Sequence, residues 1–328
     1  SGPFVSVMAT ALVFFFYIGM MVTTVPSFIE RELGGGEFCV GLAMASFAIA
    51  AIFARPFLGR LTERYGRRRL MMAGAGMASV ATLATAFASE LWHVLALRAV
   101  MGLGEAALFV AAATLIADLS PPNRRAEAAS YFSVAVFGGI GMGPIIGEAM
   151  LNDTNFERGF FVAGLLAFVS AAIALFAPAR VEPMEALDDT IASAAPATGR
   201  RRLIHPAAIT PGLVLAAGVA AFASFAAFVP EYSRSVGLAS SGGLFAVYAL
   251  VSILVRIFGA TLPERLGPRR AVTIALSNVL IGLAILAAFP TIPALWIASV
   301  FVGFGMAFNY PSLLALTVNR ASDGDRAW

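Results

Sequence analysis

The chain has 328 residues, of which 59% are hydrophobic and only 12% charged, with a mean hydropathy of +0.86. A water-soluble domain carries about 25% charged residues, so this mixture excludes a soluble enzyme or binding module and points to a chain solvated by lipid. The formal net charge of +3 comes from 22 basic residues, every one an arginine, against 19 acidic ones, so charge has to be read by location. A bilayer core of about 30 Å takes about 20 helical residues per crossing. With no water there to satisfy loose backbone groups, a span must be a helix or a closed barrel strand. The apolar runs here are long and do not alternate, which predicts helices. Ten spans are predicted, roughly 4–29, 38–58, 70–89, 91–117, 127–150, 159–178, 207–230, 242–262, 271–289 and 292–318. The expected fold class is all-α, a polytopic membrane protein. The first run begins almost at Ser1, without a cleavable signal pattern. Cys39 is the one cysteine, so no disulfide within the chain is possible.

Between the second and third runs lies Gly59–Arg69, GRLTERYGRRR, where Gly59 and Gly66 are expected to permit a tight turn between helices. It returns 201 residues later as Ala260–Arg270, ATLPERLGPRR, with Glu63-Arg64-x-Gly66 matched by Glu264-Arg265-x-Gly267. The same offset pairs Arg55 with Arg256, Gly102-x-Gly104 with Gly303-x-Gly305, and Arg125 with Arg326. Val25-Pro26 and Val229-Pro230 close the first span of each half at an offset of 204. Between the halves runs one long polar stretch, Ala179–Pro206, with Glu182, Glu185, Asp188 and Asp189 followed by Arg200-Arg201-Arg202. The expected domains are therefore 1–178, a six-helix bundle; 179–206, a linker; and 207–328, a bundle of four helices. Parallel repeats about an axis along the membrane normal are a transporter architecture, with the site near the midplane between them.

Arginine location predicts orientation. If Gly59–Arg69 is cytoplasmic, Arg31, Arg158 and Arg234 fall on the far side and Arg98 inside a span, leaving eighteen of the 22 on the cytoplasmic side. That is a strong positive-inside bias and puts both ends of the chain in the cytoplasm. Within the fourth span, Arg98 and Glu105 are seven residues apart, about 10.5 Å of rise, and so share a face. An ionised side chain at the bilayer centre costs about 2.5–3.5 kcal/mol even on an insertion scale, so both are expected to face a cavity or a partner, with Glu105 a candidate proton carrier. Gly139, Gly143 and Gly147 with Pro144 in the fifth span predict close approach of a neighbouring helix and a kink. Glu148 is expected at headgroup level. No nucleophile constellation, phosphate-binding loop, metal-ligand cluster or nucleic-acid-binding arrangement is legible, and His93 and His205 have no metal-ligand company.

Taken together, the Gly59-x-Leu61-x-Glu63-Arg64-x-Gly66-Arg67-Arg68 loop, its second copy, Arg98-x-x-x-Gly102 and Gly139-x-x-x-Gly143-Pro144-x-x-Gly147 resemble the motifs of the major facilitator superfamily over essentially the whole chain. The resemblance implies two pseudo-symmetric bundles of six helices. Here 6 + 4 of 6 + 6 are expected, the missing pair corresponding to 127–178 and the chain ending after its tenth span. It also implies a latch in which Glu63 and Arg67 engage Asp118 beside Gly59, Arg64 and Gly66, with the second copy holding Asn319 in place of Asp118. By resemblance Arg98 is tied to proton coupling, the glycine ladder marks drug or metabolite antiporters, and the fourth and tenth spans line the cavity. Asn309, Tyr17, Phe225 and Glu105 are the resulting candidate lining residues. The expected activity is proton-coupled efflux of small organic molecules by alternating access in the inner or plasma membrane, without enzymatic chemistry, cofactor, metal or nucleic acid. The expected partners are a small-molecule substrate, protons and the lipid bilayer, with the protein itself a monomer. Nutrient uptake by proton symport is the alternative transport reading, and a polytopic receptor without transport the alternative outside transport. Uptake would call for more hydrogen-bonding side chains in spans one, four, seven and ten than Tyr17, Glu105 and Asn309.

Overall fold

The computed structural model describes residues 2–121, 124–150, 155–179, 206–258 and 266–320. These form ten long helices: α1 (Gly2–Arg31), α2 (Glu37–Tyr65), α3 (Arg67–Thr85), α4 (Leu91–Asp118), α5 (Arg125–Met150), α6 (Phe156–Ile173), α7 (Pro206–Ser235), α8 (Gly242–Phe258), α9 (Pro268–Ala288) and α10 (Ile292–Arg320). A short 3₁₀ turn, Ala174–Phe176, follows α6. Eight of the ten are long and apolar enough to cross a membrane. The two that fall short are α3, which opens on three arginines and is rich in alanine and glycine, and α8, whose apolar stretch is Gly242–Arg256. The all-helical fold predicted from sequence is what forms. The polar stretch between the halves, residues 260–265 of the second loop copy, and the chain end beyond 320 lie outside the described residues.

Helices of 29 and 30 residues, such as α1 and α2, extend about 45 Å, well beyond the hydrocarbon core. This explains one departure from the sequence reading. Gly59 was expected to help make the turn of the basic loop, but α2 continues through it to Tyr65 and nothing lies within 4 Å of where its side chain would stand. The turn is a single residue. Gly66, at φ 87°, ends α2 and begins α3, its N–H bonded to Thr62 O at 3.0 Å. A side chain is strained at that φ, which is why glycine is required. Gly267 repeats the device at φ 81°, followed by Pro268 in the first turn of α9, a position where the missing N–H costs nothing.

Two hydrophobic cores result. The larger joins α1 to α6 around Phe14, Tyr17, Met71, Leu108 and Phe160. The smaller joins α7 to α10 around Phe225, Phe245, Tyr248 and Val302. The 201-residue correspondence is also spatial. Gly102 of α4 packs on the backbone of Phe47 and Gly303 of α10 on that of Tyr248, while Gly104 meets Gly74 and Gly305 meets Ala275. Each pair of contacts is the other displaced by 201 residues. Hydroxyls inside the spans find internal partners: Ser79 donates to Gly164 O at 2.8 Å, Ser170 to Thr10 O at 2.9 Å, and Ser46 to Leu95 O at 2.6 Å.

The α5 ladder does what its spacing predicts on its packing side. A Cβ on Gly139 would stand 2.7 Å from Phe16 N, one on Gly143 would enter the backbone of Phe16 and Met20, and one on Gly147 would lie 2.7 Å from Thr23 Oγ1. Pro144 sits inside the helix between them. Gly143→Ala is therefore expected to destabilise the protein by about 1–3 kcal/mol through overpacking, read as a lower Tm in detergent. Gly138→Ala, where nothing lies within 4 Å, supplies the same gain in helix propensity and should not lower Tm. Equal Tm values for the two variants would show that α1 and α5 are free to separate.

Candidate functional site

Charged residues of the spans fall at three levels. At the Gly66 end, Arg67 at the start of α3 reaches across to Asp118 at the end of α4, 2.8 Å apart, with about a third of each side chain exposed. The structure thus joins two of the three residues expected to form the latch. Glu63 is not among them: it is exposed and has no ionic partner among the described residues. It stands on the last turn of α2, and the contact of α3 with α4 is made without it. Arg64 lies against the Tyr65 ring at 5.4 Å.

At mid-depth, Arg98 and Glu105 both turn toward α2, as their spacing predicts, but to different partners. Glu105 is buried and pairs with Arg55 of α2, 3.6 Å away, whose guanidinium also lies 5.2 Å from the Phe109 ring. Arg98, 4% exposed, has no carboxylate among the described residues. Its guanidinium sits 4.8 Å over the Phe47 ring with Met44 Sδ at 3.1 Å, and its Nε has no hydrogen-bond partner. Cation–π contact offsets only part of the cost of burying a cation. The sequence picked out Glu105 and Arg98 but not Arg55 as their neighbour. The 3.6-residue period would place Arg55 on a face of α2, yet only the fold decides which helix that face meets.

Three expected lining residues are buried in this conformation. Tyr17 is fully buried in the first core, its hydroxyl hydrogen-bonded to Thr82 at 2.9 Å and its ring 5.3 Å from that of Phe14, which leaves it no accessible surface in this conformation. Phe225 is 2% exposed and packs on Phe245 and Tyr248 inside the second core. Asn309, aligned with Leu108, turns toward Gly218 of α7, and its amide atoms have no hydrogen-bond partner among the described residues. Large apolar side chains of the wide first and seventh helices satisfy the bundle interiors before they line anything else.

A third level was not anticipated. Glu148, expected at headgroup level, is 7% exposed. It accepts a hydrogen bond from the Ser241 N–H at 2.6 Å and another from the Ser241 hydroxyl, with Arg234 Nη2 3.8 Å away. Arg234 also pairs with Glu231 at 3.0 Å, and Glu231 with Arg31 of α1 at 3.5 Å. These contacts join α1 and α5 of the first core to α7 and the start of α8 of the second. Continuing along the seam, Gly242 lies near Ile145, Ala249 packs on Gly141, and Arg256 lies 4.4 Å over the Phe137 ring. The described contacts between the cores thus begin at the end of the molecule away from Gly66 and run down α5 and α8 as far as Arg256.

The Major Facilitator Superfamily profile matches residues 7–327. Multidrug resistance protein 2 of Bacillus subtilis (strain 168) is 23% identical over 282 residues, covering 83% of this chain and 70% of its own. An uncharacterised MFS-type transporter of Burkholderia mallei (strain SAVP1) is 25% identical over 321 residues, covering 94% and 75%. Among solved structures, a bacterial homologue of the human lysosomal transporter Spinster, crystallised inward-facing and unoccupied, superposes with a TM-score of 0.73 at 18% identity, covering 100% of this chain and 78% of that one.

The two polar ends should differ in strength. A half-exposed pair such as Arg67–Asp118 is worth about 0–1 kcal/mol, while hydrogen bonds to a buried charge are worth about 1.5–3 kcal/mol. Glu148→Ala is expected to lower Tm clearly more than Asp118→Ala. A double-mutant cycle of Arg67→Ala with Asp118→Ala should give a coupling below about 1 kcal/mol. The reverse order would show that the Glu148 end is open in the purified protein.

Proposed function

Because this chain belongs to the major facilitator superfamily, we propose that it is a secondary active transporter of small organic molecules that works by alternating access and expels its cargo in exchange for protons. The observation that carries the coupling is Glu105, a carboxylate buried at mid-depth in α4 whose one ionic partner among the described residues is Arg55, 3.6 Å away and half exposed. Such a carboxylate can be neutralised by the arginine or by a proton. Breaking a buried pair without compensation is costly, so a proton arriving on Glu105 and the release of Arg55 are linked events. Arg98, nearly two turns along the same helix, keeps a positive charge on the same face.

The proposed domains are the bundles of 1–178 and 207–328, with 179–206 joining them. Charged and polar contacts across the bundles are concentrated at the Arg31–Glu148 end. This supports reading the structure as the state closed on that side, with the Gly66 side facing the cytoplasm, as the arginine bias predicts. Arg67–Asp118 would serve in the opposite state, holding the Gly66 end in shape while a surface of the second bundle closes on it. Efflux rather than uptake is supported by the Gly139–Gly143–Pro144–Gly147 ladder and by the multidrug resistance relative from B. subtilis. The inner or plasma membrane is the proposed location and the monomer the proposed working unit.

In everted membrane vesicles, adding a transported compound should move protons through the wild-type protein. Glu105→Gln should abolish that movement and Arg98→Ala should reduce it strongly. Exchange that persists unchanged in both would sink the coupling assignment. Orientation has its own test. In intact cells, a membrane-impermeant maleimide should label Cys39 and should fail to label Ser193→Cys in a Cys39→Ser background. Labelling at position 193 would invert the topology.

A further inference from the structure

The two halves differ at mid-depth, where repeat symmetry would put an ion pair. Arg55 and Arg256 are repeat mates, 201 residues apart, and each guanidinium lies over an aromatic ring, Phe109 at 5.2 Å and Phe137 at 4.4 Å. Arg55 is neutralised by Glu105. The same offset carries Glu105 onto Met306, which is 3% exposed. Arg256 therefore lacks the partner that its repeat mate has. It has no carboxylate among the described residues, and its Nε is buried without a hydrogen-bond partner.

Its position is as telling as its charge. Arg256 belongs to the second bundle, while Phe137 belongs to α5 of the first. It occupies the last described rung of the α5–α8 seam, after Ile145–Gly242 and Gly141–Ala249. Beyond that rung the helices present exposed faces, with Phe258 of α8 80% and Tyr131 of α5 53% accessible. The cation thus stands at the last described contact between the two bundles, with one face of its guanidinium covered by a ring and its Nε without a hydrogen-bond partner among the described residues.

We propose that Arg256 is an anion-binding residue between the bundles, and that the cargo class is an organic anion with an aromatic or apolar body and a carboxylate or phosphate group. The proposal rests on the transporter reading above and narrows its substrate. A planar guanidinium offers two parallel donors to a carboxylate or phosphate, a geometry no neutral ligand matches. The apolar residues of the α5–α8 seam beside it, Ile145 and Ala249 among them, suit an apolar body. The membrane itself is a second source of the same chemistry, since a lipid phosphate could reach the mouth of the seam.

The purified protein would be tested by thermal shift against a panel of aryl carboxylates, each matched with its amide and its amine, in a neutral detergent. Carboxylates should stabilise more than their amides, and Arg256→Gln should weaken their binding about tenfold or more. Arg256→Lys should keep part of it. Met306→Glu, which installs in the second half the carboxylate the first half has, should also remove the preference while the protein stays folded. No preference for carboxylates over amides, or a preference that survives both Arg256→Gln and Met306→Glu, overturns the proposal. The lipid source is separated by reconstitution in phosphatidylcholine with and without phosphatidylglycerol. Stabilisation by phosphatidylglycerol that needs Arg256, with none by the carboxylates, would make the site a lipid site and overturn the cargo assignment. In everted vesicles, proton movement driven by amines alone would overturn this inference and leave the transporter reading in place. Carboxylate binding with no proton movement for any compound would do the reverse.

Discussion

A charged side chain inside a bilayer has no water to fall back on, and the arrangement of this protein follows from how each such group is answered. At mid-depth the answers among the described residues are a carboxylate for Arg55, an aromatic ring and a thioether for Arg98, and an aromatic ring for Arg256. These answers grade from full neutralisation to none. A cation–π contact recovers about 0.5–2 kcal/mol against an insertion cost of about 2.5–3.5 kcal/mol, so rings alone leave a deficit. The glycines supply what makes these answers possible. With Gly102 on the Phe47 backbone, α4 lies close enough to α2 for Glu105 to reach Arg55. A bulkier residue at Gly102 would press on the Phe47 backbone and push α4 away from α2.

Much of this was legible before any coordinates, because it is written at intervals a sequence can display. The 201-residue repeat is a matter of counting, and Gly66 and Gly267 adopt the same left-handed turn because one short basic loop was copied. The α5 ladder is legible for the same reason: small residues every fourth position leave a groove whatever helix fills it. The packing of Gly139, Gly143 and Gly147 on α1 is what that spacing asks for.

What was not legible is contact between segments that no interval relates. Glu148 and Ser241 are 93 residues apart and lie in different halves. Nothing in either neighbourhood announces the other, so a glutamate near a span end reads as a headgroup residue. The packing of Tyr17 and Phe225 inside the bundle cores and of Asn309 against Gly218 was not legible for a related reason. A polar or aromatic residue in a span carries no mark of whether it faces the bundle interior or the gap between bundles, and in a chain this apolar the interior claims most of them. Gly59 shows the opposite error, a glycine given a turn to make when the helix had length to spare beyond the membrane.

Duplication gives a transporter two similar halves, but its work is to treat two faces of the membrane differently, so the informative residues are those where the copies disagree. Arg67 faces Asp118, whereas its repeat mate is Pro268, which opens α9 and cannot make an ion pair. Glu105 neutralises Arg55, whereas its mate is Met306. Both losses fall in the second half. The first half therefore holds Arg55 and Arg67 in internal pairs, able to be broken by a proton or by movement, while Arg256 of the second has no carboxylate among the described residues. On the reading proposed above, the first bundle would respond to the coupling ion and the second to the cargo, with the α5–α8 rungs that end at Arg256 joining the two.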